Sequence, residues 1–149
     1  MAYPANQTTV HPFGAQVQDS LLSPAAFTLP AAASTSVTSS TVDLGSAAPY
    51  QPGNIELELN VPALTDTMVP NTRTSTYIIE TCTATNFSTI DKTLYSEVFT
   101  GAGSGVAAKV KRVRLPSDCA RYIRAKITHG ASTTDSSAVS ATLKVLFGS

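Results

Sequence analysis

Alternation at period two, cut at intervals by proline and glycine, limits this chain more than any other feature. Ile55, Leu57, Leu59 and Val61 alternate with Glu56, Glu58 and Asn60. An antiparallel strand with one buried face needs that pattern, whereas a helix would scatter the same apolar side chains around its axis. Pro49, Pro52 and Gly53 precede the run and Pro62 ends it. The same reading gives strands over 37–44, closed by Gly45, and over 74–85, 94–100, 106–115, 121–128 and 137–147. That makes seven strands, or eight if part of the first 35 residues joins them. Gly101-Ala102-Gly103-Ser104-Gly105 reads as a flexible turn. Such spacing points to a two-sheet sandwich or jelly roll rather than to alternating strands and helices. Composition agrees: 17 Ser and 21 Thr in 149 residues, with only 13% charged, leave little from which to build amphipathic helices.

The first 35 residues lack useful alternation, so the chain divides into an extended N-terminal arm, 1–35, and a sandwich domain, 36–149. Pro4, Pro12, Pro24 and Pro30 interrupt any helix or ladder in the arm. A solvated tail is polar and highly charged. This segment instead carries Val10, Phe13, Val17, Leu21, Leu22, Phe27 and Leu29 beside a single charge, Asp19. It is expected to dock, either back onto its own body as an edge-covering strand or onto a neighbouring subunit through those seven residues. In the second case its removal spares the body.

Ten basic and ten acidic residues cancel, so no global charge draws the chain to nucleic acid or an anionic membrane. Seven of the bases nevertheless fall within 109–126, beside one acid, Asp118. Lys109, Lys111, Arg112, Arg114, Arg124 and Lys126 are the candidate residues of a basic interface strip on two strands. The first of these strands breaks parity, because Ala108 and Val110 alternate out of phase with Val113 and Leu115. A β-bulge near Lys111-Arg112 would turn all four inward. Tyr122 is the one nearby aromatic, which is thin for a nucleic-acid platform. An acidic patch on a protein partner, or pairing with Glu56, Glu58, Glu80 and Glu97, fits better.

Chemistry finds little material. His11 sits in the Pro-broken arm and His129 beside Gly130, neither in a Gly-x-Ser-x-Gly context. Residues 101–105 lack the Lys-Ser/Thr and helix of a phosphate loop. Cys82, Cys119 and the two histidines are too scattered in sequence for a metal site. Two cysteines do not make a disulfide framework, and both are expected as thiols. No enzymatic activity, cofactor or metal is expected. Met1-Ala2-Tyr3-Pro4 lacks the basic start and apolar stretch of a secretory signal. The longest apolar-leaning stretch, 24–33, is broken by Thr28 and Pro30, and no membrane is expected as a partner.

Several stretches, taken in order, resemble a known family. They are Val42-Asp43-Leu44-Gly45 at the end of the Ser34-to-Gly45 run, Asn86-Phe87-Ser88-Thr89, Leu115-Pro116, Arg121-Tyr122-Ile123-Arg124, and Thr128-His129-Gly130. Their order and spacing, over about residues 18–148, resemble the capsid cement (decoration) proteins of tailed bacteriophages. Residues 1–17 look like an added extension. The resemblance implies an all-β, antiparallel two-sheet jelly-roll sandwich with an extended N-terminal arm. It further implies a structural virion protein, made in the host bacterial cytoplasm, that sits on the outer capsid surface as a homodimer or homotrimer. There it would clamp neighbouring copies of the major capsid protein and stabilise the shell, with no enzyme activity, cofactor or nucleic-acid partner. The alternatives are another virion β-sandwich module, from a tail or fibre, and a carbohydrate-binding domain, for which the lack of Trp is unfavourable.

Overall fold

A computed structural model describes residues 17–19, 22–45 and 55–147. The alternating segments resolve into strands β1 (Val17–Asp19), β2 (Phe27–Thr28), β3 (Ser36–Thr38), β4 (Val42–Asp43), β5 (Ile55–Val61), β6 (Thr74–Cys82), β7 (Lys92–Thr100), β8 (Lys109–Arg114), β9 (Tyr122–His129) and β10 (Ser140–Phe147). All ladders between them are antiparallel. One sheet runs β1-β10-β5-β8, with β2 also on β10, and the other runs β3-β9-β6-β7, with β4 also on β9. Taking β1/β2 as one broken strand and β3/β4 as another gives eight strands in jelly-roll order. Among the described residues there is no helix, and so none long and apolar enough to cross a membrane.

The core lies between the sheets and is fed by alternate positions of every long strand. Leu57 and Leu59 of β5 and Leu143 and Val145 of β10 meet Ile79 of β6 and Ile123, Ala125 and Ile127 of β9, all buried. The intervening residues face outward, as the alternation predicts.

The first jelly-roll strand comes from the segment expected to be an arm. Phe27 and Leu29 are buried in the core, and Leu22 packs partly against it. Backbone bonds hold this segment along β10 and the turn before it: Leu29 N–H donates to Val139 O at 2.9 Å and Ser136 N–H to Pro30 O at 3.0 Å. Between β1 and β2 the Ser23 hydroxyl accepts from Val145 N–H at 2.9 Å, standing in for a ladder bond. Residues 22–35 therefore belong to the sandwich, as the edge-covering reading has it. Phe27 and Leu29 serve their own core and are not exposed to a neighbour. The alternation misses this strand because it is split at Pro24 and each half is only two or three residues long. Val10, Phe13 and Leu21 lie outside the described residues, as does the side chain of Val17. The second strand is split too. At the gap between β3 and β4, Ser39 receives Ala125 N–H on its hydroxyl and donates its own N–H to Ala125 O, both at 3.0 Å.

Two local expectations are corrected. The β8 register against β5 runs unbroken from Val61↔Lys109 to Glu56↔Arg114, so there is no bulge at Lys111-Arg112. Without a bulge Val110 falls opposite Asn60 on the outer face of the sheet and is 61% exposed, and Ala108 is exposed as well. The ladder irregularity lies instead between Ile79 and Glu80 on β6, opposite β7. The 101–105 turn is clasped rather than loose. Its Gly101 N–H donates to Arg73 O at 2.7 Å, and Val106 and Leu64 exchange backbone bonds. Gly105 has φ of 83° and lies so close to the Leu64 carbonyl that no Cβ fits there.

Truncating Leu29 to Ala removes a fully buried side chain and should destabilise the fold by about 2–5 kcal/mol in urea titrations. Deleting 1–35, which removes β1, β2 and the buried Phe27 and Leu29, should abolish cooperative unfolding.

Candidate interaction surfaces

The six candidate basic residues do not form one strip, because alternation and sheet assignment separate them onto three surfaces. The first is the outer face of the β1-β10-β5-β8 sheet. There Arg112 donates to Glu58 at 2.8 Å and Arg114 to Glu56 at 3.4 Å, across the β8–β5 ladder. Lys144 of β10 lies 3.5 Å from the other oxygen of Glu58. Glu58 is thus held between two cations and is almost fully buried. Pairing with Glu56 and Glu58, one of the readings left open above, accounts for both arginines.

The second surface is the long open side of the sandwich, where β8 and β7 end their sheets. Because β8 keeps register, Lys109 and Lys111 follow the inward parity of Val61 and Leu59. Burying an ammonium there would be costly, and each side chain reaches out along its apolar stem instead. Lys109 Nζ comes to rest 5.0 Å from the Phe99 ring centre and Lys111 Nζ 5.1 Å from that of Tyr95, both on β7. Each such contact contributes about 0.5–1 kcal/mol at an exposed site. Glu97, the fourth expected acid, accepts a hydrogen bond from Tyr95 Oη at 2.7 Å. Burial, with help from Glu97, raises the Tyr95 hydroxyl well above its usual pKa.

The third surface is the outer face of the other sheet. Lys126 lies beside Ile78 and Thr38 in register. Arg124 donates to Glu80 at 2.7 Å through Nε and approaches the same oxygen at 2.6 Å through Nη2. The turn after β6 folds back over this pair and brings the Phe87 ring to 4.1 Å from the Arg124 guanidinium. Phe87 reaches that position with φ of 49°, a conformation that costs a bulky residue energy and survives only when its surroundings hold it. Further along, Asp43 of β4 accepts Arg121 Nε and Nη2 at 2.6 and 2.8 Å, and its Oδ1 accepts Gly45 N–H at 2.8 Å. The Arg121 guanidinium, then the Gly45 amide, holds the Asp43 carboxyl down at about 2.

His129 is the last residue of β9 and points into the sandwich. Its Nδ1 lies 3.0 Å from Ser75 Oγ and its Nε2 2.9 Å from Ser136 Oγ, and all three residues are completely buried. A neutral imidazole needs one donor and one acceptor, and a serine hydroxyl supplies either. The group ties the 131–139 turn to β6, and burial pushes the His129 pKa below 6.5. Cys82 is buried, donating to Thr89 O at 3.0 Å, and Cys119 is half-buried; both are free thiols. Among the described residues no three His, Cys, Asp or Glu side chains gather as a metal site would require. The sequence reading missed Ser75, Ser136, Phe87, Tyr95 and Phe99. Only the lone phenylalanine in the polar Asn86-Phe87-Ser88 turn carried a visible signal.

No family model and no curated protein matches the sequence. Among solved structures, a truncated AlyQ with CBM32 and alginate lyase domains is similar in fold, with a TM-score of 0.41 and 18% identity over 91% of this chain. The chain spans 34% of the length of that protein.

Two measurements check these assignments. Depression of the His129 pKa means that its contribution to stability is complete above pH 6.5 and is lost as pH falls below that value. Urea titrations between pH 7.5 and 5 should show that loss, and His129→Gln should flatten the profile. Arg124→Ala strands Glu80 in a buried position and should cost about 3–5 kcal/mol by the same method.

Proposed function

We propose that this chain is a capsid cement protein of a tailed bacteriophage, binding the outside of the assembled head and bracing neighbouring major capsid subunits. The observation that carries the reading is where the resembling stretches lie in the fold. Four of the five meet on β9. Val42-Asp43-Leu44-Gly45 pairs with its first residues, and Arg121-Tyr122-Ile123-Arg124 opens it. Asn86-Phe87-Ser88-Thr89 covers Arg124, and Thr128-His129-Gly130 closes the strand on the buried serines. Residues 42–45 and 86–89 are far from β9 in sequence yet meet it in one structural unit, which supports a likeness of architecture over coincidence of short motifs.

Cementing asks for no chemistry. The protein need only bind the assembled shell more tightly than separated subunits, and the difference stabilises the shell by mass action. Many copies on one particle make modest individual contacts sufficient. In this reading Val10 and Phe13, which precede β1, supply apolar grip on the neighbour. The Arg112 and Arg114 lattice on the outer face of β8 and β5 meets an acidic capsid patch.

Purified protein should be mixed with tailed-phage heads assembled without it. Saturable binding and an increase in the heads' melting temperature are expected, with wild-type binding weakening as salt rises and Arg112→Glu/Arg114→Glu binding poorly already at low salt. Absence of binding with no gain in resistance to heat or low salt would contradict the proposal.

A further inference from the structure

A jelly roll of two open sheets has four sheet edges, and a bare edge invites another strand. Here three of the four are blunted. Two end in the short, broken strands β1/β2 and β3/β4, none of whose pieces exceeds three residues, so neither offers a continuous ladder. Strand β8 carries Lys109, Lys111, Arg112 and Arg114 within six residues, so any second β8 laid against it would bring four cations against four. Strand β7 has no such guard. It runs nine residues, Lys92–Thr100, and among the described residues no strand lies along its outer side. Its middle presents Ser96 and Glu97 exposed, with Val98 59% exposed.

We propose that β7 is a self-association edge, pairing antiparallel with β7 of a second copy so that the two sheets ending in β7 fuse into one continuous sheet. This names the self-contact of the cement reading, but it stands on the edge alone and needs no capsid. The strand is compatible with its own two-fold image. With the axis through Ser96, Tyr95 of one copy lies opposite Glu97 of the other, within the regular stretch that ends at the ladder irregularity at Leu94. No like charges meet directly. Pairing β7 with β8 of another copy is the competing arrangement. It is head-to-tail and leaves a free edge at each end, so it yields open chains, whereas the β7–β7 contact closes as a dimer. Main-chain bonds supply the attraction, as in strand addition generally.

The test uses the full chain in sedimentation velocity across a wide concentration range, with hydrogen exchange read at each end of that range. A monomer–dimer equilibrium is expected, with exchange in 92–100 slowed by about tenfold or more in the dimer and that in 109–114 unchanged. Ser96→Lys/Val98→Lys should return the protein to monomer with the melting temperature of the dilute wild-type monomer, whereas Val110→Lys on β8 should leave the dimer intact. If the wild-type chain is monomeric throughout, the proposal fails. It fails equally if the β7 variant still dimerises, or if the protection and the sensitivity to substitution fall on β8. Capsid binding by a protein that stays monomeric would overturn this inference while leaving the cement reading in place.

Discussion

Strand β9 must be paired along both flanks for the rest of the sheet that contains it to exist. On one side it meets eight consecutive residues of β6, and on the other it meets β3 and β4 in turn. Neither β3 nor β4 is long enough to stand alone as a strand. Ser39 repairs the gap between them with two bonds to Ala125, and the Asp43–Arg121 fork pins the far end. Glu80 and Arg124 span the other flank under Phe87, and His129 closes the last position by engaging serines from β6 and from the turn before β10. Polar contacts thus set the register of a strand whose inward residues before His129, namely Ile123, Ala125 and Ile127, are all apolar. A buried, satisfied network of this kind specifies one alignment more sharply than apolar packing does.

Much of the architecture was legible because burying one face of a strand leaves a period-two trace. The bounds of β5 agree residue for residue, and six further strands fall within or close to the expected runs. The first strand was hidden for a physical reason. It is assembled from two short pieces, its ladder is partly a serine hydroxyl, and its apolar residues Phe27 and Leu29 have no periodic context. The bulge expected in β8 rested on the assumption that every apolar residue turns inward. At this sheet edge that assumption fails: Val110 lies on the outer face opposite Asn60, while the stems of Lys109 and Lys111 take inward positions and reach the aromatic rings of β7. Long-range polar partners were the least legible part. Ser75 and His129 are 54 residues apart, and nothing local marks either as the other's partner.

The charges illustrate the same point at the level of function. A run of seven bases in eighteen residues invites a single positive surface. Folding distributes them over two outer faces and one open side, and it neutralises several within the molecule. Arg112 and Arg114 sit beside carboxylates of β5, Arg124 beside that of β6, and Arg121 beside Asp43. What remains for a partner is a modestly charged lattice on one sheet, a face rich in Thr and Ser on the other, and one bare edge. Such a body suits adhesion through broad, shallow contacts repeated over many copies.

The most direct measurement is a density map of an intact phage particle containing this protein. The account places a jelly roll of this topology on the outer surface of the head, touching at least two major capsid subunits and repeated with the symmetry of the shell. Density for this fold confined to the tail or a fibre, or a fully occupied head surface without it, would contradict the account.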